Sequence, residues 1–314
     1  MLYFLNEAND PYYNLAFEEY IFSNYREDDI ILIWQNQSAI VCGQYQNIFS
    51  EVNVPLALEN NIAIVRRESG GGTVFHDMGN INYTMIRSCA MGAVDYMQFL
   101  QPMVDALRSI GVPASTNRIC DITINGLKIS GSAQRKVKNR MMHHGTLLFN
   151  TDLESLRAMA KGQREHFISK GIKSSPWPVT NIINHIADKA MTVDIFKNQL
   201  LSALAAPDAK VMTLTESEQK AIQKLAENKY QTWEWTYGHN PAFTYKRHIK
   251  LKNQQIELCY ESKNGIINCI SFEPLNNGLK DAQTALENKP LNITILQEIC
   301  KSIIGYEELY QYLF

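Results

Sequence analysis

Three consecutive glycines constrain this chain more than any other feature. They sit in Arg66-Arg67-Glu68-Ser69-Gly70-Gly71-Gly72-Thr73-Val74-Phe75-His76-Asp77-Met78-Gly79-Asn80. Glycine loses more backbone freedom on folding than any other residue, so such a run persists where the chain takes positive φ or lies against something large. Ahead of it, Ile62-Ala63-Ile64-Val65 reads as a buried strand. Beyond it, Ile81, Tyr83 and Met85 alternate with Asn82, Thr84 and Ile86, a partial period of two that predicts another strand. The glycines and both arginines therefore fall in a turn between strands. The expected object of such a turn is a phosphate, with amides converging on an oxygen anion and Arg66 or Arg67 neutralising it. The competing reading is a tight hairpin with a solvated basic edge; the paired arginines, Ser69 and His76-Asp77 favour a site. No lysine follows the glycines and no helix opens after them, which excludes a Walker loop and a dinucleotide fingerprint.

The chain has 314 residues, enough for one large domain or one large and one small. Its formal net charge of −2 gives no bulk electrostatic case for nucleic acid or an anionic membrane. It has no apolar run of about 18 residues, so no transmembrane helix is expected. Met1 to Glu7 has no basic region and no long apolar stretch, so it does not read as a secretory signal. Cys42, Cys89, Cys120, Cys259, Cys269 and Cys300 form no C-x-x-C pair and no zinc spacing; they read as reduced thiols, as in the cytosol.

Asp10-Pro11 predicts a helix start, with Tyr13, Ala16, Phe17, Tyr20 and Ile21 on one face. Ile30 to Trp34 and Ala39 to Cys42 read as strands, and Pro55 to Asn60 as a short helix. Asp95 to Ile110 has helical spacing and ends at Gly111. Ile119 to Ile124 and Leu127 to Ala133 flank Asn125-Gly126, a strong hairpin signal. His143 to Phe149 reads as a strand and Asp152 to Lys161 as a helix. Residues 162 to 181 are polar and broken by glycine and proline, the pattern of a lid or binding loop. Helices are expected near Val193 to Leu204 and Glu216 to Glu227. A hairpin-rich unit follows Gly238-His239-Asn240-Pro241, with strands Thr244 to Leu251, Gln255 to Glu261 and Ile266 to Phe272, then helices Leu279 to Glu287 and Ile293 to Ile304.

Two further stretches carry chemistry. Lys128 lies on the return strand of the Asn125-Gly126 hairpin, followed by small residues that let a ligand approach the backbone. It reads either as a snorkelling surface lysine or as a point charge beside a phosphate or carboxylate. In His143-His144-Gly145-Thr146, adjacent strand histidines face opposite sides and cannot chelate one metal together; one is expected at a cavity, the other in the core or at solvent.

The run from Arg66 to Asn82 resembles the signature of the lipoate–protein ligase family. Lys128-x-Ser130-Gly131-Ser132-Ala133 and His143-His144-Gly145-Thr146 follow in the family's order, and the unit opened by Tyr237-Gly238-His239-Asn240-Pro241 is similar to its accessory domain. The resemblance implies an α/β (α+β) fold: a mixed, largely antiparallel sheet catalytic domain of the biotin/lipoate ligase type over 1–240 and a small α+β accessory domain over 241–314. It implies activation of lipoate by MgATP to lipoyl-AMP, then transfer of the lipoyl group to a lysine of a 2-oxoacid dehydrogenase E2 or glycine-cleavage H protein, in the cytoplasm. By the same resemblance Lys128 is the expected catalytic residue, touching the lipoyl carboxylate side and the α-phosphate. ATP or lipoyl-AMP is expected at Arg67, Glu68, Gly71, Gly72, Thr73, Val74, Phe75, His76, Asn80, Lys128 and Ala133. Lipoate is expected at Arg67, Ser69, Gly70, Gly71, His76, Lys128 and His144, with Asp121 meeting magnesium through phosphate. Arg118-Ile119-Cys120-Asp121 stands where the family has Arg-Asn-Asp, and Pro176-Trp177-Pro178 stands in a loop that carries arginine and valine there. Two other functions compete: an acyltransferase of the same fold working through a Cys120 thioester, and a non-catalytic lipoate or adenylate sensor.

Overall fold

The computed structural model describes residues 1–89, 95–116, 120–159, 162–205 and 209–314. Its largest sheet has eight strands, in the order Lys210–Met212, Leu2–Leu5, Ile30–Trp34, Asn80–Ser88, Arg140–Leu148, Leu127–Val137, Asp121–Ile124, Ser115–Thr116. The first three run parallel and the rest antiparallel. Both faces are covered, which is why Ile30–Trp34 is apolar throughout rather than alternating. Ile31 and Ile33 point into a core closed by helices Met97–Ser109 and Val193–Leu204. Ile30, Leu32 and Trp34 point the other way, to helices Pro11–Asn24 and Glu216–Leu225.

Local chemistry sets the element ends. The Asp10 carboxylate accepts from the amides of Tyr12 and Tyr13, and Pro11 occupies the first helical position, where its missing N–H costs nothing. Asn125 and Gly126 both take positive φ, 50° and 80°, as the two-residue turn between Asp121–Ile124 and Leu127–Val137 requires.

A second sheet of three strands, Ala63–Arg66, Ala39–Cys42 and Val74–His76, carries the glycine turn. A third, antiparallel sheet runs Phe167–Ser169, Phe243–Leu251, Gln254–Lys263, Ile266–Glu273, with helices Asn277–Leu286 and Ile293–Lys301 against it. One apolar cluster runs through both smaller sheets, joining Ile40, Phe75 and Phe167 to Phe243, Tyr260 and Leu296.

Most expected elements are present with shifted ends. Strands Leu127–Val137 and Arg140–Leu148 are longer than expected, because polar residues continue the pairing beyond the apolar segments. Leu2–Leu5, Val74–His76, Phe167–Ser169 and Lys210–Met212 were not anticipated; each is short, and each is paired by residues far away in sequence. Ile119, where one strand was expected to begin, Arg118 before it, and Lys161, where a helix was expected to end, lie outside the described residues.

Candidate functional site

The glycine turn leaves Ala63–Arg66 and returns in Val74–His76. It is packed against Gly43, where an added Cβ would stand 2.2 Å from the Gly71 carbonyl oxygen. Gly71 takes φ +87°. The two arginines hold the turn from within. Arg66 is fully buried and donates from Nη1 to the carbonyls of Gly43, Gln44 and Gln46, from Nε to that of Thr236 and from Nη2 to Asn240 Oδ1. It is therefore spent on protein acceptors, and the expectation that it neutralises a phosphate is corrected. Arg67 donates to the carbonyls of Val41, Gly70 and Gly72 and to Ser69 Oγ, and it lines a cavity. Burial pulls both guanidinium groups down to about 10, so both remain charged at neutral pH.

The hairpin supplies the amine. Lys128 Nζ is 2.9 Å from Asp121 Oδ1 across the strand pair, and it lies over Gly131. The absence of a side chain at Gly131 makes the room, since a Cβ there would be 2.6 Å from Nζ.

The histidines divide as the strand geometry requires. His143 stacks on Phe99 with ring centroids 5.1 Å apart and 1° between planes, inside the core. His144 faces a cavity, its Nδ1 2.8 Å from Glu18 Oε1 and its Nε2 2.6 Å from Ser69 Oγ. Burial pushes His76 and His143 down to about 3, so both are neutral.

The segment after Phe167–Ser169 crosses the site. Ser174 Oγ accepts from the Thr73 amide at 2.9 Å and from Gln46 Nε2 at 3.0 Å. The Ser174 amide donates to Glu51 Oε2, which also binds Arg164 at 2.6 Å. Lys128 N donates to Pro178 O and Thr180 N to Lys128 O, which fixes the chain beside the hairpin.

Two cavities meet beneath this segment. The first, about 220 Å³, is walled by Leu15, Trp34, Val41, His76, Asn82 and His144 on its own side. The second, about 520 Å³, adds Phe75, Arg157, Arg164, Trp177 and Pro178. Thr73, Val74, Lys128, Gly131, Thr146, Ser174 and Ser175 line both, so the Lys128 amine stands at the junction.

Of the expected site residues, Arg67, Gly71, Gly72, Thr73, Val74, His76, Asp121, Lys128, Ala133 and His144 line the first cavity, and Phe75 lines the second. Glu68, Ser69, Gly70 and Asn80 line neither. Glu68, expected at the nucleotide, instead pairs with Arg135 at 2.6 Å and with Lys229, whose amine lies 4.2 Å from the centre of the Trp235 ring. Asn80 Nδ2 donates to Asn82 Oδ1. Trp34, Asn82, Arg157 and Arg164 were not anticipated as lining residues, nor was Glu18 beneath His144. The one signal for Glu18 is a carboxylate set directly after Ala16-Phe17 on an apolar helix face.

Among the described residues no cluster of three His, Cys, Asp or Glu side chains is placed to hold a metal ion. Asp121 is the one carboxylate among the described residues lining the first cavity. That donor set suits a magnesium ion held mostly by phosphate oxygens, as such ions usually are.

The profile of the lipoyl protein ligase A/B catalytic domain matches residues 10–205. Lipoate–protein ligase 1 of Staphylococcus aureus is 35% identical over 98% of this chain and 94% of its own. A T. acidophilum protein described as a lipoate protein ligase, solved with bound lipoic acid, is 26% identical with a TM-score of 0.62, covering 74% of this chain and 98% of that one. A lipoate-protein ligase A solved with ATP is 25% identical with a TM-score of 0.62, covering 75% of this chain and 97% of that one.

Proposed function

We infer that this chain, which belongs to the lipoate–protein ligase family, is an ATP-dependent ligase that activates lipoate and passes it to a lysine of a partner protein. Lipoate and ATP are its small-molecule substrates, as in the bound relatives. The observation that carries the site assignment is the junction of two cavities at a single amine.

In the first step the lipoate carboxylate attacks the α-phosphorus of ATP and pyrophosphate leaves. Two anions must approach, so a cation between them lowers the barrier most. Lys128 stands where the cavities meet, and we assign it that role. The smaller cavity, with Leu15, Trp34 and Val41 in its wall, suits the acyl chain. The larger one, with Arg157, Arg164 and Trp177, suits the nucleotide. Arg67 fixes the shape of the glycine turn by its bonds to Gly70 and Gly72, which keeps the turn in register with both substrates. Magnesium, when bound, would offset phosphate charge, and Asp121 would hold it alongside the phosphates. In the second step the acceptor amine attacks the acyl carbon and AMP leaves, so no protein nucleophile is required.

The acceptors we propose are E2 lipoyl domains and glycine-cleavage H protein, and the compartment is the cytosol. Among the described residues no helix is long and apolar enough to cross a membrane. The proposed division is a catalytic unit over 1–240 and an accessory unit over 241–314, supported by an antiparallel sheet drawn from the C-terminal part except for its edge strand Phe167–Ser169.

The test is pyrophosphate release from ATP and free lipoate, together with mass gain on apo acceptor domains. Lys128→Ala should lower the rate by roughly 100- to 1,000-fold. Cys120 also lines the first cavity. Retained activity in Cys120→Ser, with ATP required, supports the ligase; loss of activity with ATP dispensable would favour a thioester acyltransferase.

A further inference from the structure

Three residues in the wall of the acyl cavity, Trp34, Arg67 and His144, are tied to one carboxylate that does not itself line it. Glu18, on helix Pro11–Asn24, is buried, with 3% of its surface exposed. Its Oε1 is 2.5 Å from Thr84 Oγ1 and 2.8 Å from His144 Nδ1, and its Oε2 is 3.0 Å from the same nitrogen. Two chains of hydrogen bonds end there. Trp34 Nε1 lies 3.2 Å from Thr84 Oγ1 in the first. In the second, Arg67 Nε lies 3.0 Å from Ser69 Oγ, which is 2.6 Å from His144 Nε2.

The direction of every bond in both chains follows from the end groups. Indole and guanidinium N–H groups donate only, and an ionised carboxylate accepts only. Thr84 therefore accepts from Trp34 and donates to Glu18. Glu18 accepts from His144 Nδ1–H, so in the neutral imidazole Nε2 is bare and Ser69, which accepts from Arg67, donates to it. No hydroxyl in either chain is left with an unused donor.

Ser69, His144 and Glu18 are the residue types of a hydrolytic triad, but Ser69 does not line the cavity and its oxygen already accepts from Arg67. It has no access to an acyl carbon. The array holds other groups in place. We propose that Glu18 is a positioning residue for lipoate: it fixes the imidazole of His144, the indole of Trp34 and, through Ser69 and Arg67, the acyl side of the glycine turn.

The proposal rests on the ligase reading. Glu18→Gln keeps the size of the side chain but places an N–H₂ where a chain must end on an acceptor. Even with the amide carbonyl at Oε1, which accepts from both chains, the N–H₂ then sits 3.0 Å from His144 Nδ1–H, donor against donor, so the imidazole loses half of its seat. The expected result is a lipoate KM raised roughly tenfold, with kcat and the KM for ATP within about twofold, and the same loss in lipoate binding by calorimetry. In ¹⁵N-histidine spectra His144 of the wild type should show protonated Nδ1 and bare Nε2, and Glu18→Gln should alter that pattern. Thermal melting establishes that the variant is folded. An unchanged lipoate KM and binding constant would overturn the proposal. So would equal rises in both KM values with a lowered melting temperature, which marks a merely structural role, or a wild-type His144 without the Nδ1 proton. A wild type that binds lipoate with the expected Glu18 dependence but consumes no ATP would refute the ligase reading and leave the positioning role supported.

Discussion

Gly131→Ala tests the role of Lys128 without removing any charge. The added Cβ would lie 2.6 Å from Lys128 Nζ and 2.8 Å from its Cε. Such contacts settle at about 3.5–4.0 Å, so the amine must retreat by roughly 1 Å. The retreat costs the fold little, because the group that yields is the flexible end of a lysine. Gly131 does not occupy the left-handed region, and alanine suits a strand better than glycine does. It costs the chemistry a great deal: a misplacement of about 1 Å lowers a rate on the order of 100-fold. Single-turnover pyrophosphate release should therefore fall by about 100-fold while the melting temperature holds or rises. The double variant with Lys128→Ala decides the cause. If the alanine acts only by moving the amine, it should slow the enzyme no further once the amine is gone. Additive losses, or a Gly131→Ala enzyme at the wild-type rate, would refute the assignment.

Gly43→Ala sets a Cβ 2.2 Å from the Gly71 carbonyl oxygen, backbone against backbone. Denaturant melts should show a loss of roughly 1–3 kcal/mol, and binding of both substrates should weaken with it. Ser174→Ala removes the acceptor used by Thr73 N and Gln46 Nε2. At about 1 kcal/mol per bond, the crossing segment should loosen, read as faster limited proteolysis between residues 170 and 179. Acid should destabilise the fold through two histidines. Burial holds His76 and His143 down at about 3, against an ordinary value of 6.5. Between those values the unfolded chain binds protons that the folded chain does not, so stability is complete above the unfolded value and falls as pH drops. From pH 7 to pH 5 each should contribute a loss of about 2 kcal/mol. His143→Phe, which preserves stacking on Phe99, should remove about half of that pH dependence in urea melts; an unchanged dependence would show that His143 is protonated within the fold.

The chemistry of the site was legible wherever a local rule applied. Positive φ at Asn125 and Gly126 fixes the hairpin, and the hairpin fixes where Lys128 stands. The two-residue period of a strand separates His143 from His144 without knowledge of their neighbours. What sequence reading missed depends on distant partners. Glu68 follows two arginines and reads as part of the same site, yet it pairs with Arg135 and Lys229 and lines neither cavity. Arg66 and Arg67 are adjacent and alike, and only the acceptors around them show that one is wholly engaged with the protein while the other lines the cavity. Phe167–Ser169 is three residues long and pairs with a strand more than seventy residues later, beyond the reach of any periodicity.

That short strand has a mechanical meaning. Ser169 pairs with Phe243 in the C-terminal sheet, and five residues further on Ser174 is hydrogen-bonded to the roof of the glycine turn. The tail of the protein and the mouth of its reaction chamber thus share a short tether. Shortening the chain at the start of the C-terminal unit would strip Phe167 of its neighbours Phe243 and Tyr245 and unmoor the roof at the same time. A minimal ligase cut from this sequence would accordingly need a replacement anchor for residues 167–169 before its chamber closed in the same way.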